Sequence, residues 1–242
     1  MSEQLADRLQ AAARPGARFL EIGVGTGRIA LPLHRRGRRV LGVDLSVPML
    51  ERYRAKAASA GLPPPPVVCA DATRLPVRDA CVDAVIEVHV LHLIPAWRQA
   101  VAEVRRVLAA GGVVLAARRR WERSQGRGPR ALARERHSAI LAELGVRRER
   151  VGAHGDPEVI SAFTELGGQV EELEPVTWRD DETWAEHIDV LERRVWSDSW
   201  KIPEDVWHEG VRRLRAELAA EGVDLNAPVP TVRHVEIAAI RF

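Results

Sequence analysis

The run Phe19-Leu20-Glu21-Ile22-Gly23-Val24-Gly25-Thr26-Gly27-Arg28 constrains this chain more than any other segment. Phe19 to Ile22 read as a buried strand. Glycines at alternate positions then break it into a turn, and a helix is expected to begin near Arg28. Such a turn removes side chains from one face, so backbone N–H groups at the partly positive end of a helix can approach a ligand. The spacing narrows the ligand. A dinucleotide fingerprint, G-x-G-x-x-G, needs its last two glycines three residues apart. Here Glu21 is followed by Gly23, Gly25 and Gly27 in strict alternation. The carboxylate in front disfavours phosphates and suits a cationic or amino-bearing group on a nucleotide-like ligand. For a motif this short, a plain strand-to-helix turn is the alternative.

The first 120 residues alternate strand and helix signals with short connections, the pattern of a parallel sheet covered on both faces. Strands are expected at Arg18–Ile22, Arg39–Asp44, Val67–Ala70, Asp83–Val88 and Val113–Ala117. Helices fall at Ile29–Arg36, from Ser46 as cap with Pro48 in the first turn, and at Trp97–Leu108. Gly61-Leu62-Pro63-Pro64-Pro65-Pro66 ends the second of these, because proline cannot continue a helix. In the second half, Pro129–Leu144, Asp156–Leu166 (Asp156 as cap), Asp181–Ser197 and Pro203–Ala220 read as helices. Val170–Trp178 and Val232–Phe242 read as strands. The expected organisation is a single domain over 1–242, with a ligand-binding core at 17–118 and a helical elaboration at 119–226.

Composition fits a globular protein, with 46% hydrophobic and 29% charged residues. There is no apolar run of membrane-spanning length, and the start lacks a basic, apolar leader pattern. Cys69 and Cys81 have neither metal-ligand spacing nor a disulfide framework and are expected to be buried thiols, which places the protein in the cytoplasm. Net charge is +2, carried almost wholly by arginine. The clusters Arg35-Arg36-Gly37-Arg38-Arg39 and Arg118–Arg136 read as solvated helix surface. A nucleic-acid partner is not expected.

Acids recur where ligands bind in a doubly wound sheet, outside the carboxyl ends of the strands. Glu21, Asp44, Asp71 and Glu87 follow or end the first four strands. Four together are harder to explain as turn residues than any one alone. The chain resembles a class I S-adenosylmethionine-dependent methyltransferase of the type 11 group, which includes quinone-biosynthesis C-methyltransferases. The matching segments are Leu20–Gly27, Gly42–Leu50, Ala70–Pro76, Val82–Val85 and Val104–Gly112, in family order across roughly 17–118. The resemblance implies a doubly wound, Rossmann-like, seven-stranded and mostly parallel α/β sheet with an antiparallel last strand, supplied by Val232–Phe242.

It also implies roles. Glu21, Gly23, Val24, Gly25, Gly27 and Arg28 would hold the methionine part of S-adenosyl-L-methionine. Asp44 would meet the ribose, and Met49, Asp71 and Ala72 the adenine, while Glu87 and Val88 end the strand that flanks the methyl donor and Leu45 is a further cofactor-binding position. Many members carry a helical lid before the first strand, where this sequence has about sixteen residues. Closure is then expected from elsewhere, from a partner or from the 121–150 segment.

A sulfonium methyl is already activated, so the protein must mainly align a nucleophile and exclude water. A base is needed only where the acceptor keeps its proton near neutral pH. His92, and second His89, follow the fourth strand and are the candidates. A structural loop histidine is the alternative for His92, while His187 and His208 are weaker choices. Six tryptophans (121, 178, 184, 196, 200, 207) lie in the second half, either lining an acceptor site or filling a helical core.

The leading expectation is methyl transfer to a small-molecule oxygen, nitrogen or carbon by a monomer or homodimer, without metal or membrane. The alternatives are an RNA or protein methyltransferase, a nicotinamide-dependent oxidoreductase (opposed by the glycine spacing), and a non-catalytic binding partner or sensor.

Overall fold

The structure is a computed structural model that describes residues 2–120, 128–147, 151–195, 199 and 201–242, without the side chains of 118–120 and 156. Helix α1 (Ser2–Ala12) precedes β1 (Arg18–Ile22), α2 (Ala30–Arg35), β2 (Arg39–Asp44), α3 (Val47–Ser59) and β3 (Val67–Cys69). There follow β4 (Val82–Glu87), α4 (Trp97–Val107), β5 (Leu108–Arg120), α5 (Pro129–Glu143) and α6 (Asp156–Glu165). The chain ends with β6 (Gln169–Glu182), α7 (Trp184–Glu192), α8 (Glu204–Ala220) and β7 (Val229–Arg241).

The seven strands form one sheet in the order β3-β2-β1-β4-β5-β7-β6. The first five pair in parallel, and β7 enters antiparallel between β5 and β6. At that junction Gly111 N–H donates to Phe242 O (3.0 Å) and Phe242 N–H to Gly112 O (3.1 Å). The Rossmann-like sheet expected from the sequence is therefore present, antiparallel last strand included. Because β1 lies between β2 and β4, the strand order reverses beside it, and the carboxyl ends of β1 and β4 flank the crevice that this reversal creates.

Two compact units share the chain. The first comprises residues 1–120, 150–176 and 235–242, the second 121–149 and 177–234. The core of the first is built from the buried faces of β1, β4 and β5 with Trp97, Ala100, Val101 and Val104 of α4 and Phe163 of α6. Helix α4 supplies them because its apolar residues recur every three or four positions. The second unit is a helical cluster of α5, α7 and α8 around Trp184, Ile188, Leu191, Trp207 and Leu214.

Several local expectations change. Helix α1 was not expected. Leu5, Ala6 and Leu9 bury its apolar stripe, while Arg36 pairs with Glu3 and Asp7 (both 2.8 Å) and Arg8 with Glu174 (2.6 Å). The 35–39 arginines are thus partly internal fastenings of α1 rather than free surface, since Arg38 also bonds Gln10 (2.9 Å). Ser46 sits at the N-cap of α3 without a side-chain capping bond. Gly155, not Asp156, is the N-cap of α6.

Helix α7 starts at Trp184 because Thr183 and Glu186 close a reciprocal capping box, leaving 181–182 in β6. The cysteines are free but not buried: Cys69, on edge strand β3, is exposed and Cys81 half-buried. Trp121, Trp196 and Trp200, with 121–127 and 148–150 of the expected closing segment, lie outside the described residues.

Candidate ligand site at the carboxyl edge of the sheet

All three glycines of the first turn have positive φ (65°, 55° and 73° for Gly23, Gly25 and Gly27), but they serve different ends. A Cβ on Gly23 would overlap the Val90 side chain, and one on Gly27 would overlap the Tyr53 ring. Those two positions are fixed by the protein's own packing. Gly25 alone opens on space, with only Gly23 O within 4 Å, at 3.9 Å. The side-chain-free face inferred from the alternating pattern therefore narrows to one residue. Lys56 of α3 braces the turn by donating to Thr26 Oγ1 (2.8 Å), and Val24 N–H donates to Val43 O (3.0 Å).

Asp44, the last residue of β2, binds this turn directly. Its Oδ2 accepts Gly25 N–H and its Oδ1 accepts Ser46 N–H, both at 2.8 Å. A carboxylate has about four lone-pair sites, so acceptor capacity remains on both oxygens. Leu45 beyond it is 72% exposed, an apolar surface beside a polar one, and Met49 on α3 is half-buried.

Glu21 lies deeper, at 3% exposure on the interior strand β1, and its Oε2 has no hydrogen-bond partner. Burial pushes its carboxyl up to about 8, with Arg28 and the Ala30 N–H opposing the rise and Asp44 adding to it. In the ligand-free protein Glu21 is therefore mostly neutral at pH 7, not the standing charge inferred from the sequence. A buried acceptor of this kind is ionised most readily by a cation that replaces the missing solvent.

Glu87 ends β4 in register with Ile22, is buried, and accepts Val90 N–H (3.3 Å). Val88 is buried. His89 is exposed with φ +58°, an uncommon conformation for a residue with a Cβ. His92 is exposed on the short 3-10 turn Leu91–Leu93. Its carbonyl accepts Gly152 N–H (3.2 Å), so the 152–153 segment fixes the turn that bears it. Asp71 lies two residues beyond β3 rather than at its end. It is exposed, and its Oδ1 accepts Thr73 N–H (2.8 Å), the bond that chiefly holds its carboxyl below the usual value. Ala72 is buried. Arg106 pins the connection that follows, bonding Leu75 O (3.1 Å), Val77 O (2.8 Å) and Asp79 (2.6 Å).

Glu21, the glycine turn, Asp44 and Glu87 therefore meet at one edge, with Asp71 on the next loop along. At the opposite edge, buried Asp83 accepts Arg18 N–H (2.8 Å) and both Arg18 and Arg14 guanidiniums, a structural pairing remote from the turn. Tyr53 of α3 is not among the residues that the sequence motifs single out. The signal available was a hydroxyl on an otherwise buried helix face.

In the second unit, Trp207 and Trp184 are core. Trp207 Nε1 donates to Leu191 O (2.7 Å), and Arg136 lies over the Trp184 ring at 5.7 Å. His187 Nε2 is 3.2 Å from the buried Glu182, and His208 faces Glu204 at 3.6 Å. Trp178 is half-buried.

The strand order defines a Rossmann-like domain, and the acids gather with the glycine turn at its carboxyl edge. Residues 20–116 match the profile of a methyltransferase-domain family. Phosphatidylethanolamine N-methyltransferase of Cereibacter sphaeroides is 38% identical over 101 residues, 41% of this chain and 49% of the relative. Demethylmenaquinone methyltransferase of Thermus thermophilus is 39% identical over 97 residues, 39% of this chain and 44% of that protein. The chain thus spans about a third to a half of the length of the curated relatives it matches. The solved YcgJ protein of Bacillus subtilis superposes with a TM-score of 0.63 at 19% identity, covering 100% of this chain and 98% of that one, which attests the fold.

Proposed function

We propose that this chain transfers a methyl group from S-adenosyl-L-methionine to a small-molecule acceptor at oxygen, nitrogen or carbon. The observation that carries the reading is Glu21: a buried acid with an unpartnered oxygen, beside a turn whose only open glycine is Gly25. An ammonium of a methionine arm satisfies that oxygen, and a phosphate would not. Asp44 keeps lone pairs for ribose hydroxyls, Leu45 and Met49 offer apolar surface to a base, and Asp71 with Ala72 would receive its amino edge.

When bound, S-adenosylmethionine supplies an activated methyl on a sulfonium. The chain's own work is then alignment and exclusion of water. Glu21 and the glycine turn fix one arm, Asp44 fixes the sugar, and Glu87 and Val88 wall the space beside β4. His92, on the braced turn after β4, is the residue we assign to receive or orient the acceptor's proton, with His89 second. A small acceptor agrees with the names of the two relatives. A cytoplasmic setting agrees with two free cysteines.

The test is transfer of isotopically labelled methyl groups from S-adenosylmethionine into a fractionated cell extract. Label in the low-mass or lipid fraction is expected. Label only in RNA or protein would overturn the acceptor class, and no label despite cofactor binding would favour a non-catalytic binding role.

A further inference from the structure

Behind the glycine turn lies a second buried polar group that packing alone does not explain. Tyr53 is 1% exposed, its ring lies against Gly27 so closely that no side chain fits there, and its hydroxyl has no hydrogen-bond partner. Phenylalanine would fill the same space without the cost of burying an unbonded hydroxyl. The other orphaned oxygen in this region is Glu21 Oε2, six residues before Gly27 on the strand that feeds the turn. The Glu21 charge acts on the phenol, adding to burial in holding its proton on.

Resting on the assignment of Glu21 to an ammonium-bearing ligand, we propose that Tyr53 is a positioning residue for Glu21. Its phenolic O–H is the donor that receives the carboxylate once Glu21 gives up its proton to admit the cation. Cofactor entry then releases one proton from Glu21 to solvent, and the new carboxylate is held between the ligand's ammonium and the Tyr53 hydroxyl.

Of the other charged groups near the turn, Arg28 attracts the Glu21 carboxylate as a cation, and the rest hold bonds of their own. Arg28 follows the turn, Asp44 on β2 is occupied by two backbone N–H groups, Glu87 on β4 accepts Val90 N–H, and Lys56 on α3 is bonded to Thr26. Among the described residues, the Tyr53 hydroxyl is a buried neutral donor packed against the same turn and without a hydrogen-bond partner.

The experiment compares wild type with Tyr53→Phe and Glu21→Gln in two readouts. The first uses no ligand. Glutamate carboxyl 13C resonances are followed through pH 4–10, and wild type should show one group titrating near 8 that is absent from Glu21→Gln. Tyr53→Phe should move that midpoint up by about one unit, the size expected for losing a hydrogen bond to a charged acceptor. The second is calorimetric binding of S-adenosylhomocysteine at pH 7 in buffers of different ionisation enthalpy. Wild type should release close to one proton, and Tyr53→Phe should bind roughly five- to tenfold more weakly.

Methylthioadenosine, which lacks the ammonium, should not distinguish the two. An unmoved carboxyl titration in Tyr53→Phe overturns the proposal, as does ordinary titration of Glu21 in wild type. If the carboxyl behaves as described and S-adenosylhomocysteine does not bind, the cofactor reading fails while the Tyr53–Glu21 relation stands.

Discussion

Asp44 Oδ2 accepts the Gly25 N–H at 2.8 Å, so the end of β2 holds in place the only glycine of the turn that faces open space. One carboxylate thereby shapes the site and remains available to a ligand hydroxyl. Asp44→Ala removes both functions. It should weaken S-adenosylhomocysteine binding by about 1–3 kcal/mol and lower unfolding stability by about 1–2 kcal/mol, because two N–H groups lose their acceptor. Calorimetry and chemical denaturation measure the two effects. Unchanged affinity would remove Asp44 from the ligand.

The three glycines should separate cleanly. Gly27→Ala and Gly23→Ala force a Cβ into Tyr53 and Val90, so both should cost about 3 kcal/mol or more of stability, from overpacking added to a positive φ. Gly25→Ala meets no neighbour and should cost only about 1 kcal/mol, while reducing ligand affinity at least tenfold. Thermal unfolding and binding titrations on the three variants test this. Equal losses of stability would contradict the division of labour.

Glu21 makes stability fall as pH rises. Its carboxyl is raised from 4.5 to about 8 in the folded protein, so between those values the unfolded chain has lost a proton that the folded one keeps. Stability is highest below 4.5 on this account and is lost progressively up to about 8. Glu21→Gln cannot titrate. Relative to wild type it should gain on the order of 3 kcal/mol between pH 5 and pH 9. Parallel denaturant curves at the two pH values give the difference.

Asp83 has the opposite sign. The Arg18 side chain and N–H, with Arg14, hold its carboxyl well below the usual range, so its contribution is present above about pH 4 and fades as pH falls. Both arginines are about half exposed, which screens the pair, and Asp83→Asn should cost about 1–2 kcal/mol at pH 7. It lies at the far edge of the sheet, so S-adenosylhomocysteine affinity should not change. A loss of affinity would show that the two edges are coupled.

What the sequence revealed follows the range of the interactions involved. Arg18–Ile22 and Arg39–Asp44 are legible because each is an apolar run ended by a local breaker, and their bounds match the structure. The parallel sheet follows from that alternation. Helix α1 was not legible, since only Leu5, Ala6 and Leu9 are buried and its hold depends on Arg36 and Glu174, distant in sequence. Distances between partners also explain the site. The glycine spacing pointed to the turn, but which glycine stays open depends on Val90 and Tyr53 arriving from the loop after β4 and from α3. The protonation of Glu21 is likewise set by burial, which no local pattern encodes.

The most direct test of the central claim is calorimetric titration of the protein with S-adenosylhomocysteine, with NAD as the comparison. Micromolar binding of S-adenosylhomocysteine, weakened by about 1–3 kcal/mol in Asp44→Ala and absent for NAD, is the predicted result. Binding of NAD alone would contradict the assignment of Glu21 and Gly25 to an ammonium-bearing nucleotide.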